Sequence, residues 1–207
     1  MNPTGWPPRR AGVGSAAVME HGMVSLTNDF YETIEPRLHR QIASSLKSAQ
    51  RIVDLGCGHC RLAGFLAEQN DHRYVIGIDV ADRGFPRDGE FGGRLRCVRA
   101  DARDLAFLGS NTVDAVVSLY ALHELGAPVA SLREARRLLR RGGEILVVDF
   151  PRGSLAQRLW NESYYSTGEV ADLLRRAGFV KVRARRTACR QLTWARAFKP
   201  DTRRGAR

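Results

Sequence analysis

The stretch RIVDLGCGHCRLA, residues 51–63, decides the fold of this chain. An apolar run typical of a β-strand leads into two glycines one residue apart, Gly56 and Gly58, and residues 61–69 resemble a helix. Glycines in such a turn let the backbone approach a ligand closely, and a helix start presents free N–H groups. The segment therefore predicts a strand, a ligand-binding turn and a helix.

A second strand-like run, residues 74–79, ends in the carboxylate of Asp79. An acid at this distance from a glycine turn fits the hydroxyl pair of a ribose, as in nucleotide-binding α/β folds. A dinucleotide-binding turn has a third glycine where this chain has Arg61, and Asp54 would repel a diphosphate but not a cationic ligand. An NAD site and a purely structural turn are the weaker alternatives.

The segment Asp-Leu-Gly-Cys-Gly, residues 54–58, resembles motif I of the class I S-adenosylmethionine-dependent methyltransferases. In that family the turn wraps the methionyl part of the cofactor and the acid after the second strand holds the ribose. The resemblance implies S-adenosylmethionine as cofactor and S-adenosylhomocysteine as product. It also implies cofactor contacts in the glycine turn and at the end of the second strand, by Asp54, Gly56, Cys57, Gly58, Asp79 and Val80.

Three later blocks extend the resemblance over roughly residues 50–198. Residues 94–105 resemble the third strand and the Asp-Ala pair, here Asp101 and Ala102, that contacts the adenine amino group in this family. Residues 113–125 resemble the fourth strand, with Leu119 at its end, and the segment after it. Residues 138–150 resemble a helix end, a Gly-Gly turn that caps the helix, and the fifth strand.

Alternating strands and helices from residue 50 onward predict an α/β fold. We expect a Rossmann-like, seven-stranded, mostly parallel sheet with helices on both faces and an antiparallel C-terminal hairpin. The expected strands are 51–55, 74–79, 94–99, 113–119, 144–149, 179–186 and 190–198, and the helices lie near 60–69, 129–140 and 167–177. Residues 80–93 are rich in Gly and Pro, which favours a short helix or a loop.

The expected domain covers residues 23–198, between a disordered extension (1–22) and a basic tail (199–207). Residues 25–48 predict a helix with an apolar residue at every fourth position, which Pro36 would kink or break. A helix before the first strand covers the cofactor in related enzymes, so Tyr31 or Arg37 would reach it; packing on the sheet is the alternative for both.

The acceptor of the methyl group should approach beyond the ends of the first and fourth strands. His123 is the candidate general base or acceptor-orienting group, because its pKa lies near neutrality, and lining the cofactor pocket is its alternative role. Tyr120 is a second catalytic candidate, with packing in the wall as the alternative. Glu124 is expected to be solvated or a helix cap. Trp160, Tyr164 and Tyr165 form either an aromatic wall or ordinary core.

The four cysteines are expected to be reduced thiols, and no metal is expected. Cys57 and Cys60 form a C-x-x-C motif, which elsewhere indicates zinc or redox chemistry. No second C-x-x-C pairs with it, because Cys97 and Cys189 stand alone in the sequence. We therefore interpret Cys57 as the small residue of the glycine turn.

The net charge of +11 permits an RNA partner but does not favour one, since 4 of these charges lie in residues 1–20 and 199–207. Signatures of enzymes acting on DNA, arginine or glutamine are absent, which favours a small-molecule acceptor. The same fold acting on RNA or protein, and a non-catalytic cofactor-binding module, are the alternatives. No apolar run approaches the ~20 residues of a membrane helix, and no secretory signal core is seen, so a cytoplasmic location is expected. Oligomeric state is left open.

Overall fold

Seven strands form one sheet in the order β3-β2-β1-β4-β5-β7-β6. The computed structural model describes residues 34–87, 89–188 and 190–201. Strands β1 to β5 run parallel to one another, whereas β7 pairs antiparallel with β5 and β6. The predicted sheet and C-terminal hairpin are thus confirmed. The strands are β1 (Arg51–Leu55), β2 (Tyr74–Asp79), β3 (Leu95–Arg99), β4 (Val113–Leu119), β5 (Leu139–Asp149), β6 (Val180–Thr187) and β7 (Leu192–Phe198).

The described residues form five α-helices and a short 3₁₀ helix at Leu122–Glu124. The helix of residues 155–160 is the one that the sequence analysis did not predict; it begins at Ser154, whose hydroxyl accepts a hydrogen bond from Gln157 N at 3.3 Å. Residues 80–87 and 89–93 contain no helix, as the loop alternative predicted. The α-helices are α1 (Glu35–Ser45), α2 (Arg61–Glu68), α3 (Pro128–Leu138), α4 (Leu155–Trp160) and α5 (Thr167–Arg176).

The chain divides into two compact units between Lys47 and Ser48, and α1 belongs to the first of them. The helix begins one residue before Pro36, which therefore sits in the first turn, where its missing N–H costs no hydrogen bond. Arg37 is exposed, and Tyr31, like the predicted extension of residues 1–22, lies outside the described residues. A contact between α1 and the cofactor stays a prediction.

The central strands β1, β4 and β5 are buried over most of their length, and because their side chains alternate between the two faces of the sheet, both faces are buried there. One face carries the main core, to which β1 contributes Val53 and Leu55 and to which α3 and α5 contribute their buried leucines. On β1 and β2 the alternate residues, Ile52 and Val75, are also fully buried, and α2 contacts these two strands. Because β1 to β5 are parallel, their carboxyl ends lie together at one edge of the sheet, where the candidate site lies.

Gly142 and Gly143 do not cap a helix, contrary to the sequence-based expectation. Helix α3 ends at Leu138, and the glycines lie in β5, where the pairing with β4 shifts register. Gly142 has φ +71°, and a Cβ on Gly143 would lie 2.8 Å from the carbonyl oxygen of Arg140. The glycines therefore permit an irregular start of the strand.

The first residue of the predicted basic tail, Lys199, is bound to the sheet unit. Its Nζ donates to the carbonyl oxygen of Leu139 at 2.7 Å and to Asn111 Oδ1 at 2.8 Å. Burial lowers the pKa of Lys199, and neighbouring arginines lower it further. Residues 202–207 of the tail lie outside the described part of the chain. Among the described helices, none has the length and hydrophobicity needed to cross a bilayer.

Candidate functional site

The glycine turn between β1 and α2 is fastened to the end of β2. Gly56 N and Cys57 N both donate to the carbonyl oxygen of Ile78, at 2.8 and 3.0 Å. Gly56 and Gly58 have φ values of +73° and +51°. A Cβ on Gly56 would lie 2.2 Å from Cβ of Ala121, whereas one on Gly58 would meet nothing within 4 Å. The turn thus packs tightly beside the end of β4 and leaves open space at Gly58.

Asp54 is a buried carboxylate directly before this turn. It is 1% exposed, and its Oδ1 has no hydrogen-bond partner among the described residues. Burial, together with the nearby carboxylate of Asp79, raises the pKa of Asp54 to about 7. An unpartnered carboxylate in the interior is costly, so the position is suited to a cationic ligand.

Asp79 ends β2 and closes the turn from the other side. Its Oδ2 accepts a hydrogen bond from Gly58 N at 2.9 Å, and its Oδ1 accepts one from Ala81 N at 3.0 Å. Each carboxylate oxygen can accept a further hydrogen bond. The next residue, Val80, is 67% exposed although it is apolar. A carboxylate beside an exposed apolar side chain is suited to a sugar that carries an aromatic base.

The remaining predicted cofactor residues follow the neighbouring strands at the same edge. Asp101 lies two residues after β3, and its carboxylate is held by Arg103 through Nε at 2.9 Å and the backbone N–H at 2.8 Å. These hydrogen bonds lower the pKa of Asp101 to about 2. Ala102 is buried, and Leu119 ends β4. The structure gathers the set at one edge of the sheet, and its contacts with a cofactor stay predictions.

The expectation of reduced, isolated cysteines is wrong for Cys60 and Cys97, which form a disulfide. Cys57 is a free, buried thiol whose sulfur lies 3.3 Å from that of Cys60. The sequence could not show this because the partner of Cys60 lies on β3, which the register of the sheet brings beside the turn. Cys189 lies outside the described residues.

His123, on the 3₁₀ helix after β4, is held by the carboxylate of Asp149 at the end of β5. The backbone N–H of His123 donates to Asp149 Oδ2 at 3.1 Å, and its Nδ1 lies 2.9 Å from Oδ1. Phe150 N also donates to Oδ1, at 2.8 Å. Because Asp149 accepts these bonds, it favours a proton on Nδ1 and leaves Nε2 for other contacts.

Glu162 lies at the other end of the imidazole. Its Oε2 is 3.3 Å from His123 Nε2 and accepts a hydrogen bond from the hydroxyl of Tyr164 at 2.6 Å. Glu124 Oε1 is 3.8 Å from the same nitrogen. Burial lowers the pKa of His123, but the hydrogen bond and charge of Asp149, aided by the two glutamates, raise it above its ordinary value overall. Burial and the bond to Glu162 raise the pKa of Tyr164.

An aromatic cluster packs beside this histidine, around Phe150. Tyr120 stacks on Phe150 with centroids 4.6 Å apart, and Trp160 and Tyr164 approach its ring edge-on at 5.2 and 5.7 Å. Tyr120 and Tyr164 are buried in this cluster, and whether it lines the acceptor site or is ordinary core stays open. Tyr165 instead packs against the main core.

Sequence reasoning missed Glu162 and did not pair Asp149 with His123. The acid at the end of β5 was a visible signal, since strand ends meet at the ligand edge of such sheets. Glu162 stands in the segment between α4 and α5, where no spacing rule links it to residue 123. Its role is visible only in three dimensions.

The arrangement of this edge agrees with a family match. The profile described as "Methyltransferase domain" matches residues 53–147, from the first strand into the fifth. Over this segment the chain is similar to the class I S-adenosylmethionine-dependent methyltransferases.

Curated relatives of this chain include enzymes with different acceptors. It is 32% identical over 113 residues to a fatty-acid O-methyltransferase of Mycolicibacterium smegmatis, covering 54% of this chain and 41% of the relative. It is 30% identical over 126 residues to the ubiquinone/menaquinone biosynthesis C-methyltransferase UbiE of Azotobacter vinelandii, covering 55% and 47%. The chain thus spans about half the length of the curated relatives it matches.

A solved methyltransferase shares the fold over nearly the whole chain. This is the 1,6-didemethyltoxoflavin-N1-methyltransferase of Burkholderia thailandensis, with its substrate and S-adenosylhomocysteine bound. The TM-score is 0.63 at 22% identity, over 92% of this chain and 94% of that one. At this identity the likeness shows the fold alone.

Proposed function

We propose that this chain is a methyltransferase that binds S-adenosylmethionine and transfers its methyl group to a small-molecule acceptor. The unpartnered, buried Oδ1 of Asp54 carries the proposal, because it sits where the turn would meet the positively charged part of the cofactor. The relatives named for fatty-acid and quinone methylation support a small acceptor. The bound cofactor supplies an activated methyl group, so the main task of the protein is to position two reactants.

Different residues of this edge contact different parts of the cofactor. Asp54 faces the charged methionyl part, Gly56 and Gly58 give the backbone room, and Asp79 binds the ribose hydroxyls beside Val80. Cys57 and Leu119 line the same pocket, and the segment of Asp101 and Ala102 receives the adenine.

His123 is the candidate base on the acceptor side. Asp149 holds the ring through Nδ1, so Nε2 is the atom that takes the proton of a hydroxyl, thiol or similar acceptor. Its side chain is 3% exposed, whereas that of Glu162, beside Nε2, is 25% exposed. Glu162 therefore reaches toward the acceptor and stabilises the imidazolium that forms. The alternative role of His123 is to line the cofactor pocket. Tyr120 stacks on Phe150 and packs in the wall of the site.

Calorimetric titration with S-adenosylhomocysteine tests the cofactor half of this proposal. We expect a micromolar dissociation constant, as is common for cofactor sites. The substitution Asp79→Ala removes two hydrogen bonds to the ribose and should weaken binding by about 2–3 kcal/mol. Asp82→Ala is the matched control, since Asp82 is 62% exposed on its side chain and contacts Arg99 at 3.8 Å. Equal affinities for both variants would refute the ribose assignment.

Methyl transfer from labelled cofactor to a panel of fatty acids, phenols and quinols tests the acceptor half. With an active acceptor in hand, His123→Ala should lower kcat without a matching loss of cofactor affinity. Loss of cofactor binding alone would assign His123 to pocket lining. A cytoplasmic location stays a prediction.

A second candidate, methylation of RNA, is favoured by the edge strand β6. Lys181, Arg183 and Arg185 are exposed, and Arg183 and Arg185, two residues apart beyond the register shift at the start of β6, lie on one face of the strand. Steep loss of RNA binding with added salt would support this candidate, because phosphate contacts release counterions. Absence of any salt-dependent RNA binding would dismiss it.

A further inference from the structure

Three cysteine sulfurs meet against the glycine turn. Cys60 is bonded to Cys97, and the sulfur of Cys57 lies 3.3 Å from that of Cys60. The space for them comes from Gly77 on β2, where a Cβ would lie 2.9 Å from the sulfurs of both Cys57 and Cys60. Gly77 is also the register partner of Cys97 on β3. The cluster thus depends on a strand position without a side chain.

The three residues belong to three different elements. Cys57 lies between the two glycines of the turn, Cys60 is the residue before α2, and Cys97 lies on β3. The disulfide therefore ties the start of α2 to β3, across β2, while the third sulfur remains in the turn itself. Cys57 and Cys60 are buried. A buried thiol beside a disulfide, at sulfur contact distance, is the arrangement from which thiol–disulfide exchange starts.

We propose that Cys57, Cys60 and Cys97 form a thiol–disulfide exchange site in which Cys60 changes partner between Cys97 and Cys57. The thiolate of Cys57 attacks the sulfur of Cys60, a Cys57–Cys60 bond forms, and the Cys60–Cys97 bond breaks. The electron pair leaves with Cys97, whose thiolate takes up the proton that Cys57 released. One disulfide and one thiol are present before and after, so no external oxidant or reductant is consumed.

Two features set the rate and the consequence of this exchange. Burial and the carboxylates of Asp54 and Asp79 raise the pKa of the Cys57 thiol, so little thiolate exists at neutral pH and exchange is slow there. The exchanged form cross-links Cys57 to Cys60 and releases α2 from β3. Since Cys57 is part of the turn, a ligand that needs the present shape of the turn should oppose the exchange.

Tryptic peptides distinguish the two pairings. Cleavage after arginine gives residues 52–61 with both Cys57 and Cys60, residues 97–99 with Cys97, and residues 187–190 with Cys189. The full chain, purified without reductant, is incubated at about pH 6 and about pH 9, trapped with N-ethylmaleimide in mildly acidic denaturant, digested and analysed by mass spectrometry. The present pairing joins peptides 52–61 and 97–99, whereas the exchanged pairing is an internal disulfide of 52–61 with an alkylated 97–99.

We expect the internal disulfide to appear, with an initial rate that rises about tenfold for each pH step of one below the pKa of the attacking thiol. Cys57→Ser should retain the linked peptides and never form the internal disulfide, and Cys189→Ser should behave like the unsubstituted chain. Saturating S-adenosylhomocysteine should lower the yield severalfold. Free Cys60 and Cys97 in the starting protein, or linked peptides alone at both pH values, would overturn the proposal. An unchanged yield with the cofactor product would overturn its coupling to the turn.

Discussion

The carboxylate of Asp149 binds His123 twice, at the backbone N–H with 3.1 Å and at ring Nδ1 with 2.9 Å. It fixes both the position of the 3₁₀ helix and the orientation of the imidazole on it. Because Glu162 faces the opposite nitrogen, the ring lies between two carboxylates, which favours its protonated form. The geometry of the acceptor side therefore makes the protonation state of His123 dependent on strand β5.

Replacing Asp149 with Asn should lower the pKa of His123, because the amide removes a charge that stabilises the imidazolium. NMR titration of labelled His123 measures the pKa directly. If His123 is the base, the acidic limb of the kcat profile should move to lower pH by the same amount. An unchanged pKa in Asp149→Asn would contradict the role of Asp149.

The same pair should affect stability in a defined pH window. The folded-state pKa of His123 lies above its ordinary value of 6.5, so its stabilisation is complete below 6.5 and is lost as pH rises through the raised pKa. In urea titrations, the difference in unfolding free energy between the unsubstituted chain and Asp149→Asn should therefore be largest in mildly acidic buffer and shrink toward alkaline pH. A difference that grows with pH would contradict this sign.

Gly56 and Gly58 form a matched pair for testing the turn. Both have positive φ, so alanine at either position costs about 1–2 kcal/mol in backbone strain. Gly56→Ala adds an overlap with Ala121, which Gly58→Ala lacks, and overpacking of this kind costs about 1–3 kcal/mol. Urea midpoints should therefore place Gly56→Ala clearly below Gly58→Ala. Equal midpoints would show that the turn can move away from Ala121.

The strands were predictable because their residues carry local signals. Apolar runs that end in turn residues placed β1, β2 and β4 at their observed bounds, and the order of strands and helices gave the sheet. Helix α4 was missed because it has only six residues. The apolar pattern after its cap, Ser154, is too short to indicate a helix. The Gly-Gly turn was misassigned because glycine serves helix ends and irregular strands equally well.

The candidate site was predictable in part for a similar reason. Asp54, Gly56 and Gly58 lie at the end of β1 and in the turn after it, and Asp79 ends the strand that pairs with β1, so the fold alone brings the four together. The Cys60–Cys97 bond depends on the register of β2 with β3, and the contact of His123 with Glu162 depends on a loop between two helices. Neither is encoded by a local pattern.

Glu162 and Glu124 provide a second matched pair, on the acceptor side. Both carboxylates approach His123 Nε2, but Glu162 is nearer, at 3.3 Å against 3.8 Å, and its side chain is less exposed. Glu162→Gln should lower kcat about tenfold or more and lower the pKa of His123, whereas Glu124→Gln should change both only slightly. Equal effects of the two variants on kcat and on the pKa of His123 would mean that His123 responds to the total negative charge nearby and not to its contact with Glu162.

Asp54 should make both stability and cofactor affinity depend on pH. Its folded-state pKa of about 7 exceeds the ordinary 3.8, so the stability that it contributes is complete below 3.8 and is lost as pH rises through 7. A pKa difference of this size between the folded and unfolded chain corresponds to a loss of a few kcal/mol in the ligand-free protein. Asp54→Asn should abolish this loss, and urea unfolding between about pH 4 and pH 8 measures it.

Bound cofactor should shift Asp54 from its protonated to its ionised form, because a cationic ligand favours the ionised carboxylate. Affinity for S-adenosylmethionine should therefore strengthen as pH rises through about 7 in the unsubstituted chain and stay weak and flat in Asp54→Asn. Asp172→Asn is the control for a lost charge, since the side chain of Asp172 is 68% exposed on α5. Calorimetry on the three proteins at several pH values decides the question. A pH-independent affinity in the unsubstituted chain would show that Asp54 does not face the charge of the cofactor.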